Sequence, residues 1–252
     1  MQEKIFFKDS EGNMLCGILS ASSKNRPIII LCHGFTSSKD GNTQLSLGEM
    51  LNEKNISTFR IDLFAHGESE GKIEDITVSK AVDDILSAIK LLKDRGYKKI
   101  GLFGSSFGGI ASIIAASKAE LFVLALKCPV SNFEELAVGR INGEMLKEWK
   151  NNGVATYEPW EGFKITMKYN FFEDMKNNNG YEAAKRIKIP MLIVHGDRDD
   201  VVPIEQSRKT AGIIRNCRLE IIKGAGHGFE KPEQFEKMVE LITDFIADNS
   251  NL

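Results

Sequence analysis

The chain has 252 residues, 42% of them apolar and 27% charged, enough to build a sizeable core in one large domain or two small ones. Its 33 basic and 35 acidic residues give a formal net charge of −2, which excludes the basic excess expected of a nucleic-acid or anionic-membrane binder. No run reaches the roughly 18 apolar residues of a membrane span.

The start, MQEKIFFKDSEG, carries charges where a secretory signal would be apolar. Cys16, Cys32, Cys128 and Cys217 lie scattered, without disulfide-frame or metal-ligand spacing. The expectation is a reduced, cytoplasmic protein with no cofactor or metal and no nucleic-acid or membrane partner. A homodimer is compatible with the sequence, which carries no signal for or against it.

From the N-terminus, Ile5–Phe7 and Met14–Leu19 flank a turn at 9–13 and predict a hairpin. The continuous apolar run Ile28–Cys32 predicts a central strand buried on both faces. A helix is predicted over 39–54, a strand over 56–61 and a helix over 77–95. In the last, Ala81, Val82, Ile85, Ile89 and Leu92 recur at three- and four-residue spacing. Strands follow at 100–103 and 121–126, with a helix at 107–118 between them. After Pro190 come a strand at 191–194, a helix at 204–215, a strand at 219–222 and a closing helix over 232–246. Strands alternating with helices imply an α/β fold around a mostly parallel sheet.

Between 131 and 184 the alternation stops. Eight aromatic residues fall in the 33 positions from Trp149 to Tyr181, among them both tryptophans of the chain and three of its four tyrosines. Asn151–Gly153 and Asn177–Gly180 have turn chemistry. The expected organisation is a core of residues 1–130 and 185–252 with 131–184 inserted as a small cap. Its aromatic residues, Trp160 and Tyr169 for example, either line a substrate pocket or bury the cap on the core.

Gly104-Ser105-Ser106-Phe107-Gly108 matches G-x-S-x-G where a predicted strand meets a predicted helix. A serine on such a turn projects its hydroxyl clear of the sheet, and the helix start behind it favours developing negative charge. Ser106 is the candidate nucleophile; Ser105 has Phe103 where its own motif would need glycine. A serine needs a base, and the base an orienting acid. His227, in a glycine-rich loop after the last strand, is the candidate base. His33, His66 and His195 read instead as loop-shaping residues. The loop after the 191–194 strand offers Asp197, Asp199 and Asp200, which spacing alone does not separate. Two backbone N–H groups should form an oxyanion hole: Phe107, after the nucleophile, and Phe35, in the loop after the 28–32 strand.

His33-Gly34-Phe35, Asp62 through Ser69, Gly104 through Gly109, His195-Gly196 through Pro203, and Gly224 through His227 together resemble the α/β-hydrolase superfamily, in order and at family spacing. The resemblance implies a mostly parallel sheet flanked by helices and assigns the acid to Asp199, giving Ser106, Asp199 and His227 as the catalytic triad. His33 through Lys39, the length and the small cap are similar to bacterial feruloyl and cinnamoyl esterases. Two positions depart from the pattern: Ala65 stands where the family usually has glycine, and Phe107 where those esterases often have glutamine.

The function expected from these residues is a serine carboxylic ester hydrolase acting through an acyl-enzyme on a small-molecule ester, with aromatic acyl groups among the candidates. Thioester or short-peptide hydrolysis uses the same triad. A dehalogenase would carry aspartate where Ser106 stands. A non-catalytic binding protein would have no need of nucleophile, base, acid and donor loop together.

Overall fold

The computed structural model describes all residues except 1, 22, 138–140, 161–162 and 251–252, and within the strands at 154–168 it leaves the side chains of 157–160 and 163 undescribed. Strands β1 (Gln2–Lys8) and β2 (Met14–Ser20) pair antiparallel, as the hairpin pattern predicts. Then come β3 (Ile28–Cys32), α1 (Asn42–Glu53), β4 (Ser57–Ile61), α2 (Val78–Asp94), β5 (Ile100–Ser105), α3 (Phe107–Ala116) and β6 (Leu124–Lys127). The next part of the chain holds α4 (Phe133–Ala137), α5 (Gly143–Asn152), β7 (Val154–Trp160), β8 (Phe163–Lys168), α6 (Tyr169–Asn177) and α7 (Gly180–Ala184). It closes with β9 (Met191–Gly196), α8 (Ile204–Ile213), β10 (Cys217–Ile222) and α9 (Pro232–Asp248).

Eight strands form one sheet in the order β1-β2-β4-β3-β5-β6-β9-β10. Among the described residues of this sheet only the β1–β2 and β2–β4 pairs are antiparallel; along the sheet from β4 to β10 every pair is parallel. Parallel strands need both faces covered, and the side-chain alternation supplies this. Ile28, Ile30 and Cys32 face the core under α2 and α3, while Ile29 and Leu31 face the one under α1 and α9. Helix α2 shows how sequence makes such a cover. The Thr77 side chain accepts the Lys80 N–H at its start, and the predicted apolar stripe from Ala81 to Leu92 is buried. No helix among the described residues is long and apolar enough to cross a membrane.

Chain order reverses beside β3: β4 lies on one side of it and β5 on the other. The crevice at the carboxyl ends of such a pair is where open α/β sheets bind ligands. Here the loop starting at His33 and the turn holding Ser106 leave those ends.

Two expectations are corrected. The strand predicted at 121–126 begins at Leu124, because residues 121–123 only lead into the ladder, with Phe122 N–H donating to the Ile100 carbonyl at 3.0 Å. Between β6 and β9, where the strand–helix alternation was expected to stop, the described residues form four helices and the antiparallel pair β7–β8. Asn151 and Asn152 end α5, and Asn179 caps α7 by accepting the Tyr181 and Glu182 N–H groups. The asparagines mark helix ends where open turns were expected.

Candidate active site

Ser106 sits between β5 and α3 with φ +51° and ψ −114°. A non-glycine residue holds such a backbone only when its surroundings enforce it, at a cost of about 1–3 kcal/mol. The enforcement is steric and hydrogen-bonded. A Cβ at Gly104 would collide with Ser112 Oγ, and one at Gly108 with the His33 carbonyl oxygen. Ser106 N–H donates to the Lys127 carbonyl at 3.0 Å, and the Ser106 carbonyl accepts Gly109 and Val130 N–H at 2.9 and 3.1 Å. Both glycines of the motif are thus close-approach residues.

His227 Nε2 lies 3.0 Å from Ser106 Oγ, and its Nδ1 lies 2.7 Å from Asp199 Oδ2. The structure therefore brings together the three side chains expected from sequence. Asp199 Oδ1 accepts Val201 and Val202 N–H at 2.9 and 2.8 Å. Burial alone would raise its pKa. Hydrogen bonds from His195 and His227, the His227 charge and the Val202 N–H outweigh it and hold the carboxyl far below the usual range. Asp197 faces elsewhere, accepting Gly224 N–H at 2.5 Å.

The acid has two further neighbours that sequence reading passed over. His195, buried, places Nε2 3.1 Å from Asp199 Oδ2 and 3.0 Å from the Val202 carbonyl. Both are acceptors, so Nε2 carries the proton, and Nδ1 pairs with Ser207 Oγ at 2.7 Å. His195 is thus more than loop filler: it is a second imidazole on the acid. Cys128 lies on the other side, with φ +41°; burial, and then the nearby Asp199 carboxylate, push its thiol up, so it approaches as S–H. Donor atoms of Cys128, His195 and Asp199 lie within 4.8 Å of one another. With the thiol protonated and both other groups hydrogen-bonded, this cluster serves as a cradle for the acid. A single sequence gives no signal for it beyond the four-residue step from His195 to Asp199.

The donor loop is held from below. Leu63 N–H donates to His33 Nε2 and Thr36 N–H to His66 Nε2, each at 3.1 Å. Each ring places Nδ1 on a carbonyl, Gly34 at 2.7 Å and Phe64 at 2.9 Å, which settles both as neutral Nδ1–H tautomers. Burial pushes His33 down to about 3 and lowers His66 as well. Lys39 N–H donates to Asp62 Oδ1 at 2.7 Å, and Lys39 Nζ pairs with Asp62, Asp40 and Glu68. Gly34 packs against the elbow: a Cβ there would sit 3.2 Å from Ser106 Cβ. No hydrogen bond among the described residues uses the Phe35 N–H. The Phe107 N–H, first in its helix, lacks an intrahelical acceptor. Ala65 has φ +63°, the left-handed backbone that explains a preference for glycine there.

Above Ser106 opens a cavity of about 830 Å³. One part, beneath the segment between β6 and β9, is apolar and includes Phe133, Ile141, Met145, Trp149, Met167 and Phe171. Rings run in contact from Phe35 to Phe107 to Phe133 to Phe171, with centroids 5.4–6.0 Å apart. Tyr169, expected as a pocket ring, stacks on Phe172 at 5.6 Å and meets Trp149 edge-on; it supports the wall without lining it. The side chain of Trp160 lies outside the described residues.

The chain is similar to several known hydrolases. Human mitochondrial palmitoyl-protein thioesterase ABHD10 is 27% identical over 239 residues, covering 90% of this chain and 75% of that protein. Human monoacylglycerol lipase ABHD6 is 25% identical over 281 residues, with 96% and 81% covered. Est1E from Butyrivibrio proteoclasticus, solved with bound ferulic acid, superposes with a TM-score of 0.85 at 26% identity over 97% of this chain and 98% of its own. The model of the prolyl oligopeptidase family matches residues 72–252. That stretch carries β5, β6, β9 and β10 with Ser106, Asp199 and His227; the chain belongs to the prolyl oligopeptidase family and is a serine ester hydrolase of the α/β-hydrolase fold.

Proposed function

We propose that the protein is a carboxylic ester hydrolase that passes an apolar acyl group through Ser106. The observation that carries this reading is the unbroken Ser106–His227–Asp199 hydrogen-bond chain opening on the apolar cavity. Ser106 Oγ attacks the acyl carbonyl as its proton moves to His227 Nε2. Asp199 holds the ring through Nδ1–H and stabilises the imidazolium. The oxyanion takes the N–H groups of Phe35 and Phe107. His227 then protonates the leaving group, and water releases the acid by the reverse steps.

Residues 131–184 act as the cap that selects the acyl group. Phe107, Phe133 and Phe171 supply ring faces and edges that suit a planar aromatic acyl chain, in keeping with the ferulic acid bound to Est1E. The names of ABHD10 and ABHD6 support a second reading, longer aliphatic thioesters or glycerides in the same cavity. Initial rates on 4-nitrophenyl esters of increasing chain length, beside methyl ferulate and an acyl-CoA, decide between them. A kcat/KM highest for the ferulate or a short aryl-propenoate is expected; a maximum at long acyl chains favours the second reading. No turnover of any of these substrates would overturn the hydrolase assignment of the cavity.

A further inference from the structure

The other part of the cavity is different in kind. Asn42, Thr43 and Gln44 at the start of α1, and Pro232 and Phe235 at the start of α9, line it together with Lys127. Sheet alternation aims Lys127 there: Phe103 on β5, and Ala125 two residues before Lys127 on β6, point into the core under α1 and α9. The lysine is only 6% exposed. Its Nζ donates to the His227 carbonyl at 2.9 Å and lies 5.3 Å from the centre of the Phe229 ring.

An ammonium has three protons to donate, and this one has a single acceptor among the described residues. Among the described residues no carboxylate lies within ion-pair distance of it. Glu230, the carboxylate that shares the cavity, is engaged with Gly228 N–H at 3.0 Å. Buried charges are ordinarily paired, because leaving water uncompensated is costly; here burial lowers the lysine pKa. The start of α1 adds to the imbalance. Gly41 before it makes no side-chain cap hydrogen bond and its first turn holds no acidic residue, so its dipole favours an anion, whereas the first turn of α9 already carries Glu233.

We propose that this end of the cavity binds a carboxylate carried by the leaving-group part of the substrate, with Lys127 as its counter-ion. The inference rests on the ester-hydrolase reading and deepens it. The acyl part takes the apolar end under residues 131–184, and the alcohol or thiol part, with its negative charge, takes the polar end. One ammonium with two unused protons matches the single charge and two oxygens of a carboxylate. Lys127 would then serve twice, as a binding residue for the leaving group and as a positioning residue for the loop that carries His227.

A matched substrate pair tests this. The butyrate esters of 4-nitrophenol and of 5-hydroxy-2-nitrobenzoate differ by one carboxylate on the leaving group. Wild-type kcat/KM should favour the carboxylated ester by about tenfold. Lys127→Met should abolish that ratio, and Lys127→Arg should keep part of it. Loss of the His227 anchor slows both esters alike, so the ratio isolates recognition. A carboxylate on the acyl side, as in 4-nitrophenyl hydrogen glutarate, should bring no gain. A wild-type ratio of one or less, or a ratio unchanged in Lys127→Met, overturns the proposal.

Calorimetric binding to Ser106→Ala protein covers the case in which Lys127→Met does not fold or neither ester is cleaved. There 5-hydroxy-2-nitrobenzoate should bind at least about tenfold more tightly than 4-nitrophenol. Equal affinities would count against the anion site whatever the state of the hydrolase reading. Tight anion binding without turnover would instead keep the site and remove that reading.

Discussion

At the scale of single residues, Ser106 combines reactivity with backbone strain, and the two are separable by substitution. Ser106→Ala should lower kcat by at least about 10³ while the fold persists. Ser106→Gly should be equally inactive yet more stable than Ser106→Ala by about 1 kcal/mol, since glycine accepts the positive φ; paired thermal melts and steady-state rates check both. Asp199→Asn should cut kcat strongly with little change in KM, because the ring loses its orienting acceptor. Asp197→Asn, at a side chain that accepts Gly224 N–H and not the His227 ring, should leave kcat within about threefold and affect stability alone. Equal kinetic damage in the two variants would break the assignment of the acid. Ser106 and His227 were legible in sequence because each sits in a glycine-marked turn at a strand end. The acid was not separable from its neighbours, since three aspartates in four positions differ only in how the loop folds back. His195, Cys128 and Lys127 were illegible, because a buried strand-end residue shows nothing of its partner until the sheet order is known.

Among the elements, the donor loop depends on its neighbour after β4. Thr36 N–H has His66 Nε2 as its acceptor, and the Phe35 ring meets the His66 ring edge-on at 5.7 Å. His66→Leu should therefore loosen the Phe35 amide and lower kcat by about 10–100-fold with a smaller effect on KM, short of the about 10²–10³ that goes with complete loss of one oxyanion donor. Unchanged kcat would detach His66 from the donor loop. The helices were legible by a 3.6-residue period on one buried face, and the central strands by short continuous apolar runs buried on both faces. The β7–β8 pair was not. Its residues, such as Ile165 and Met167, are buried against the cavity wall directly between α5 and α6, and Pro159 within β7 reads against a strand.

For the molecule as a whole, two buried groups of opposite tendency shape stability against pH. His33 and His66 have lowered pKa values, so the unfolded chain binds more protons below about 6.5, and stability falls as pH drops through that range. Asp84 is opposite. Burial raises its carboxyl to about 8 against some relief from the Phe64 N–H, and its Oδ1 has no hydrogen-bond partner. The native state then holds the extra proton, and stability declines as pH rises from about 4 to about 8. The melting temperature should peak near pH 6–7, and Asp84→Asn should flatten the alkaline limb while leaving pH 5 little changed; an alkaline limb as steep in the variant as in wild type refutes the role of Asp84. One backbone contact has a wider consequence. Gly180 N–H donates to the Ser131 carbonyl at 2.8 Å, and a Cβ at Gly180 would come within 2.5 Å of that oxygen, so residues 132–179 depart and return through a single neck. The closure entropy of a loop grows only by about 0.6 kcal/mol per doubling of its length. Whatever hangs from Ser131 and Gly180 can therefore be lengthened or shortened at small entropic cost wherever its outer bonds, Lys168 to Asp75 and Ser79 N–H to Asp174, are kept, which makes this pair of residues a natural splice site for transplanting acyl selectivity between enzymes.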